Sequence, residues 1–142
     1  MEDGDLGDKW RIAEPEGGYH FDPLSNRAIG AAIAVHKELG PGFREELYDN
    51  ALCLEFDRRG VPYERQLDIP VRYHGVVVGT HTLDLLVEKA LVVELKSVSM
   101  LLAVHYAQVE AYLGAADARV GLLLNFGAVP LGIKRLVNNY AG

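Results

Sequence analysis

The chain has 142 residues, 20 Asp+Glu against 14 Lys+Arg, a net charge of −6, one cysteine and 49% hydrophobic residues. That length suits one domain able to bury about two-thirds of its unfolded surface. Cys53 is alone, which excludes an intramolecular disulfide framework and any cysteine-clustered zinc or iron–sulfur centre.

No apolar run approaches the roughly 20 residues of a membrane helix, and the N-terminus lacks the apolar core of a secretory leader. A soluble, cytoplasmic protein without a membrane partner is expected. The charge is unevenly spread. Residues 1–22 hold seven acids and two bases, a net of −5, while residues 23–142 hold 13 acids and 12 bases, a net of −1. Residues 1–22, rich in Gly and acid, are predicted to form a flexible acidic tail, and residues 23–142 a single domain.

In chain order, Asp22 or Ser25 can cap a first helix that runs through SNRAIGAAIAVHKEL and stops at Gly40. A second helix, FREELYDNALCLEFDRR, is predicted to bury a Leu47, Ala51 and Leu54 stripe and to end at Gly60. YERQLDIPVRY reads as a strand closed by a His74-Gly75 turn; VVVGTHTLDLLVE and LVVELKSV follow as two more. MLLAVHYAQVEAYLGAA returns to helical spacing, RVGLLLNFG suits a strand buried on both faces, and LGIKRLVNNY reads as a last strand at an edge. The order ααβββαββ predicts an α/β (α+β) domain with a mixed sheet flanked by helices.

The informative stretch is Leu83-Asp84-Leu85-Leu86-Val87 followed by Val92-Val93-Glu94-Leu95-Lys96. Strand alternation places Glu94 and Lys96 on one face and Val93 and Leu95 on the other. Those charges are either the solvated face of a half-exposed strand or a site. With residues 88–90 as a three-residue loop, Val87 faces Leu91 and Asp84 faces Glu94, with Cβ atoms about 4.5–5.5 Å apart. Like charges at that spacing repel unless a divalent cation lies between them. A two-residue loop would send Asp84 to the other face.

Asp84, nine residues, then Glu94-Leu95-Lys96 resembles the PD-(D/E)XK nuclease signature. Gln108-Val-Glu-Ala-Tyr112 resembles the Q-x-x-x-Y element of RecB-like members, and Gly42-Phe43-Arg44-Glu45-Glu46-Leu47-Tyr48 matches the signature of the GxxExxY family within that superfamily. HKELGPGF, LDLLVE, VVELK, AQVEAYL and GLLLNFG follow in the family's order, so the resemblance covers about residues 24–137. It implies a restriction-endonuclease-like fold and a Mg²⁺- or Mn²⁺-dependent nuclease acting on nucleic acid, with DNA favoured over RNA and neither excluded. It also implies the roles: Glu45 as helical acid, Asp84 as central metal ligand, Glu94 and the Leu95 backbone carbonyl as further ligands, Lys96 as catalytic lysine, and Gln108 with Tyr112 as support. Two stretches depart from the pattern. Leu83 stands where the superfamily's name has proline, and Thr80-His81-Thr82 stands where relatives carry an aromatic and a basic residue.

Other residues keep two readings. His105, Gln108 and Tyr112 share a helix face, which is either a polar surface stripe or a wall of the site. Tyr48 either supports Glu45 or packs. His36 reads as a helix-end packing residue, His74 and His81 as turn and strand residues, and Cys53 as a core residue. Lys134-Arg135 and Arg58-Arg59 are candidate phosphate contacts. A non-catalytic module of the same fold, binding nucleic acid or protein, competes with the enzyme reading. A domain this small also suggests a homodimer or a larger partner. Leaving out Glu45, Asp84 and Glu94, residues 23–142 hold ten acids and 12 bases, so composition is compatible with nucleic acid, for which the tail could compete.

Overall fold

The computed structural model describes residues 22–138. The expected acidic tail, Asp22 apart, lies outside the described residues. Helix α1 (Pro23–Leu39) opens with Asp22 as its N-cap, whose Oδ1 accepts the Ser25 N–H at 2.8 Å and whose Oδ2 accepts the Ser25 hydroxyl at 2.9 Å. Helix α2 (Glu45–Arg59) ends on Gly60, whose left-handed φ of 72° suits a residue without Cβ. Then come β1 (Tyr63–Tyr73), β2 (Val76–Val87), β3 (Leu91–Lys96), α3 (Ala103–Ala116), β4 (Val120–Asn125) and β5 (Gly132–Val137). The order is ααβββαββ, as the sequence predicts.

The five strands form one mixed sheet in the order β1-β2-β3-β4-β5, with β3 and β4 parallel and the other neighbours antiparallel. β5 is an edge strand, as expected. Helices α1 and α2 cover one face, over Leu85, Val93, Leu95, Leu122 and Leu124; α3 covers the other, over Val92 and Leu123. β4 is apolar on both sides because both of its faces are buried.

The stripe expected on α2 is corrected. Leu47 is 38% and Leu54 62% exposed, while Tyr48, Leu52 and Phe56 are fully buried. Apolar residues surround this helix, so spacing alone leaves two candidate faces; the sheet and α1 select the one that buries its two aromatic rings. α3 begins at Ala103, later than expected, and Met100 and Leu102 ahead of it stay exposed.

One irregularity shapes the site. On β2, Leu85 and Val87 pack under α1 and α2, but Leu83 packs under α3. On β1, Tyr63 packs against the first cluster and Leu67 and Ile69 belong to the second. Residues two apart should share a face. Both strands therefore turn over together, at Asp84 and at Gln66, which lies between the paired residues Arg65↔Leu85 and Leu67↔Leu83 and has φ of 53°.

Candidate active site

The β2–β3 hairpin sets the centre of the site. Glu88 and Lys89 both adopt left-handed backbone, the Ala90 N–H donates to the Val87 carbonyl at 3.0 Å, and Val87 pairs with Leu91. The paired register continues to Leu85↔Val93. One step further the carboxylates replace the ladder: the Asp84 N–H donates to Glu94 Oε1 at 2.9 Å, and the Leu95 N–H donates to Asp84 Oδ2 at 3.0 Å. Because β2 turns over at Asp84, its side chain lies in the seam between the strands.

Glu94 is 5% exposed. Burial, and then the charge of Asp84, push its pKa up to about 8, against the pull of the Asp84 N–H and Lys96. Asp84 is also raised, by burial first; the Leu95 N–H opposes this and the charge of Asp49 adds to it. Glu45, in the first turn of α2, is exposed at the mouth of a cavity of about 450 Å³. The cavity walls partly desolvate its carboxyl and raise its pKa, Lys96 lowers it, and Asp84 and Asp49 raise it further. Glu45, Asp84, Glu94 and Lys96 thus feel one another's charge, and Leu95 lines the same cavity.

Tyr48 packs into the core at the start of α2. Its ring stacks on Phe126 at 4.7 Å, its hydroxyl donates to the Gly40 carbonyl at 2.6 Å, and it accepts the Phe43 N–H at 3.1 Å. This ties the loop before α2 to the core. Tyr48→Phe is expected to lower stability by about 1–2 kcal/mol and to loosen Glu45. Chemical denaturation of the variant checks the first effect.

On α3, Tyr112 stacks on His81 at 3.8 Å with 20° between the rings. Burial raises the Tyr112 pKa, with Glu94 and Asp84 contributing, which sets the ring beside the carboxylate pair. Gln108 is half-buried, and its Oε1 has no hydrogen-bond partner among the described residues. His105 serves the helix start: its Nδ1 accepts the Leu102 N–H at 2.9 Å. Its pKa is lowered by burial, and by Lys96 nearby. His36 is buried and tilted against Phe126, as expected of a packing residue. Cys53 is buried, and burial pushes its thiol up to about 12, which suits a core residue.

Sequence reasoning missed Asp49 and Arg65. Asp49 is 7% exposed, lines the cavity, and lies one turn after Glu45, a spacing that puts both on one helix face. Arg65 reaches it from β1. The candidate phosphate contacts fare differently. Arg135 donates to Asp22 at 2.9 Å, and Arg58 and Arg59 both pair with Glu55. Arg58 and Arg59 lie outside the residues that line the acidic cavity, as do Lys134 and Arg135.

Among the described residues, no three His, Cys, Asp or Glu side chains already converge as a ready-made metal cluster. The donor chemistry nonetheless fits a hard divalent cation. Asp84 and Glu94 each accept one backbone N–H from the opposite strand, and burial first of all raises both pKa values against the pull of Lys96, so a bound cation would favour their ionised forms. Mg²⁺ is commonly bound by one or two carboxylates, with waters and substrate phosphate completing its shell.

The comparisons with known proteins agree with this arrangement. No curated protein matches the chain. A family model described as the PD-(D/E)XK nuclease superfamily matches residues 22–136. With that match spanning both covering helical layers and the whole sheet, and with acids and a lysine gathered at the β2–β3 seam, the chain belongs to the PD-(D/E)XK nuclease superfamily.

Proposed function

We propose that this protein is a small metal-dependent nuclease of the GxxExxY type, cleaving phosphodiester bonds in nucleic acid, with DNA the favoured substrate. The observation that carries the reading is the Asp84–Glu94 pair at the strand seam, Glu94 buried and Asp84 half-buried, each accepting a backbone N–H from the other strand, with Lys96 one pleat away. Such a pair costs stability in the free protein and becomes an asset when a cation joins it.

In this reading Asp84, Glu94 and the Leu95 carbonyl hold Mg²⁺ or Mn²⁺, with Glu45 across the cavity. The bound cation supplies an acidified water and neutralises phosphate charge. Lys96 stabilises the charge that develops on the phosphoryl oxygens and orients the attacking water. Tyr112 and Gln108, on α3, lie outside the residues that line the cavity and would support the carboxylate pair from the other face of the sheet. A second copy or a larger partner would supply substrate contacts that so small a domain lacks.

The test is a cleavage assay with Mg²⁺ or Mn²⁺ against single-stranded, double-stranded and branched DNA, and against RNA. Cleavage that stops on chelation is expected. Intact substrates throughout, together with no calorimetric binding of either metal, would overturn the reading.

A further inference from the structure

The cavity beside Asp84 is strongly acidic: Glu45, Glu46, Asp49 and Asp84 line it, and among the described residues lining it Arg65 is the one cation. A polyanion approaching that wall meets repulsion unless something receives its phosphate. Resting on the nuclease reading above, we propose that Arg65 is a phosphate-binding arm of the site, held ready by Asp49 and Asn50, which takes a backbone phosphate of the bound nucleic acid flanking the one that is cleaved.

Three observations converge on this. First, Arg65 is held but not used up. Its Nη2 donates to Asp49 Oδ1 at 2.9 Å and to Asn50 Oδ1 at 2.7 Å. A guanidinium has five N–H donors, so Nε and Nη1 remain available, and the side chain is 42% exposed. Arginine is suited to this task because its planar, always charged fork matches phosphate oxygens.

Second, the backbone is built to deliver it. Gln66, the next residue, sits in left-handed backbone in the middle of β1, directly across from Asp84. A non-glycine residue there costs about 1–2 kcal/mol, and such strain concentrates at functional sites. The turnover at Gln66 leaves Arg65 reaching α2, while Leu67 already packs under α3. Arg65 and Asp84 are therefore aligned by one irregularity, not by two.

Third, Arg27 is committed to Glu88, Arg58 and Arg59 to Glu55, and Arg135 to Asp22, all outside this cavity, while Arg44 pairs with Glu46 of the cavity wall at 3.3 Å without itself lining the cavity.

The measurement is fluorescence anisotropy with a labelled DNA duplex in EDTA, where turnover is blocked, over a KCl series, comparing wild type, Arg65→Gln and Arg65→Lys. Losing one phosphate contact should lower the magnitude of the log–log salt slope by about 0.9. Arg65→Gln is expected to show that drop and about tenfold weaker binding near 0.1 M salt, with Arg65→Lys recovering most of the slope. In cleavage assays the same Gln variant should raise KM far more than it lowers kcat. A role confined to bracing α2 against β1 predicts a lower melting temperature with an unchanged slope and KM, and that outcome would overturn the proposal. Wild type that binds no nucleic acid under any condition refutes the nuclease reading instead. Wild type that binds, with an Arg65→Gln slope equal to its own, refutes the Arg65 assignment alone.

Discussion

Asp84→Ala is expected to abolish metal-dependent cleavage, by at least about a thousandfold, while the fold is retained or becomes more stable. The side chain removed accepts the Leu95 N–H at 3.0 Å and meets the Glu94 carboxyl. Its charge is also the second cause, after burial, of the raised Glu94 pKa. Loss of one backbone partner costs about 1 kcal/mol, and relief of like-charge repulsion offsets it. Thermal melting in EDTA and a cleavage time course measure both sides. Lys96→Ala should cut turnover by roughly 10²–10³ and leave calorimetric Mg²⁺ binding in place, because its ammonium is not a ligand. Cleavage by either variant within a few-fold of wild type would exclude these residues from the chemistry. Under the binding-module alternative, partner binding survives the Lys96 change and no cleavage is lost, because none exists.

The second large effect is a dependence of stability on pH in the metal-free protein. Glu94 has an ordinary value of 4.5 that folding raises to about 8, and Asp84 is raised in the same direction. Between those limits the folded state binds more protons than the unfolded state, so stability falls as pH rises. The contribution is fully present below about 4.5 and is gone above about 8. One proton gives a slope of up to about 1.4 kcal/mol per pH unit. Asp22 and His105 act in the opposite sense: the Asp22 pKa is lowered from 3.8, so its window lies on the acid side of that value, and the His105 pKa is lowered from 6.5, which offsets part of the fall below that pH. A falling melting temperature in EDTA from pH 5 to pH 8 is therefore expected, and Glu94→Gln should flatten it. Mg²⁺ should raise the melting temperature more at pH 8, close to the raised Glu94 pKa, where the proton it displaces is weakly held. It should raise it little at pH 5, where Glu94 holds its proton. A metal-free melting temperature that climbs between pH 5 and pH 8 would contradict the raised Glu94 pKa.

The central pair was legible because a hairpin is local. Once residues 88–90 are a three-residue loop, pairing of Val87 with Leu91 follows, and strand period carries the register to Leu85 and Val93, one step short of Asp84 and Glu94. Tyr48 was ambiguous for a different reason. Its partners Gly40 and Phe43 are close in sequence, but the stacked ring of Phe126 lies on the far side of the chain. His81 read as an ordinary strand residue, since nothing in its own strand announces a ring on α3 stacked upon it. The α2 stripe failed because Leu47 and Leu54 match helical spacing as well as Leu52 and Phe56 do, and only packing separates them.

Sequence by itself determined the element order, the mixed sheet, and the acids and lysine of the β2–β3 hairpin. These rest on short-range periodicity, turn chemistry and a motif whose members are linked by a few covalent steps. Tertiary structure alone decided that β1 and β2 turn over together at Gln66 and Asp84, and that Asp49 lies beneath Arg65. It also decided which face of α2 is buried. Those outcomes depend on contacts between α2 and β1 and between α3 and β2, where the chain brings distant residues together and no local period records the meeting.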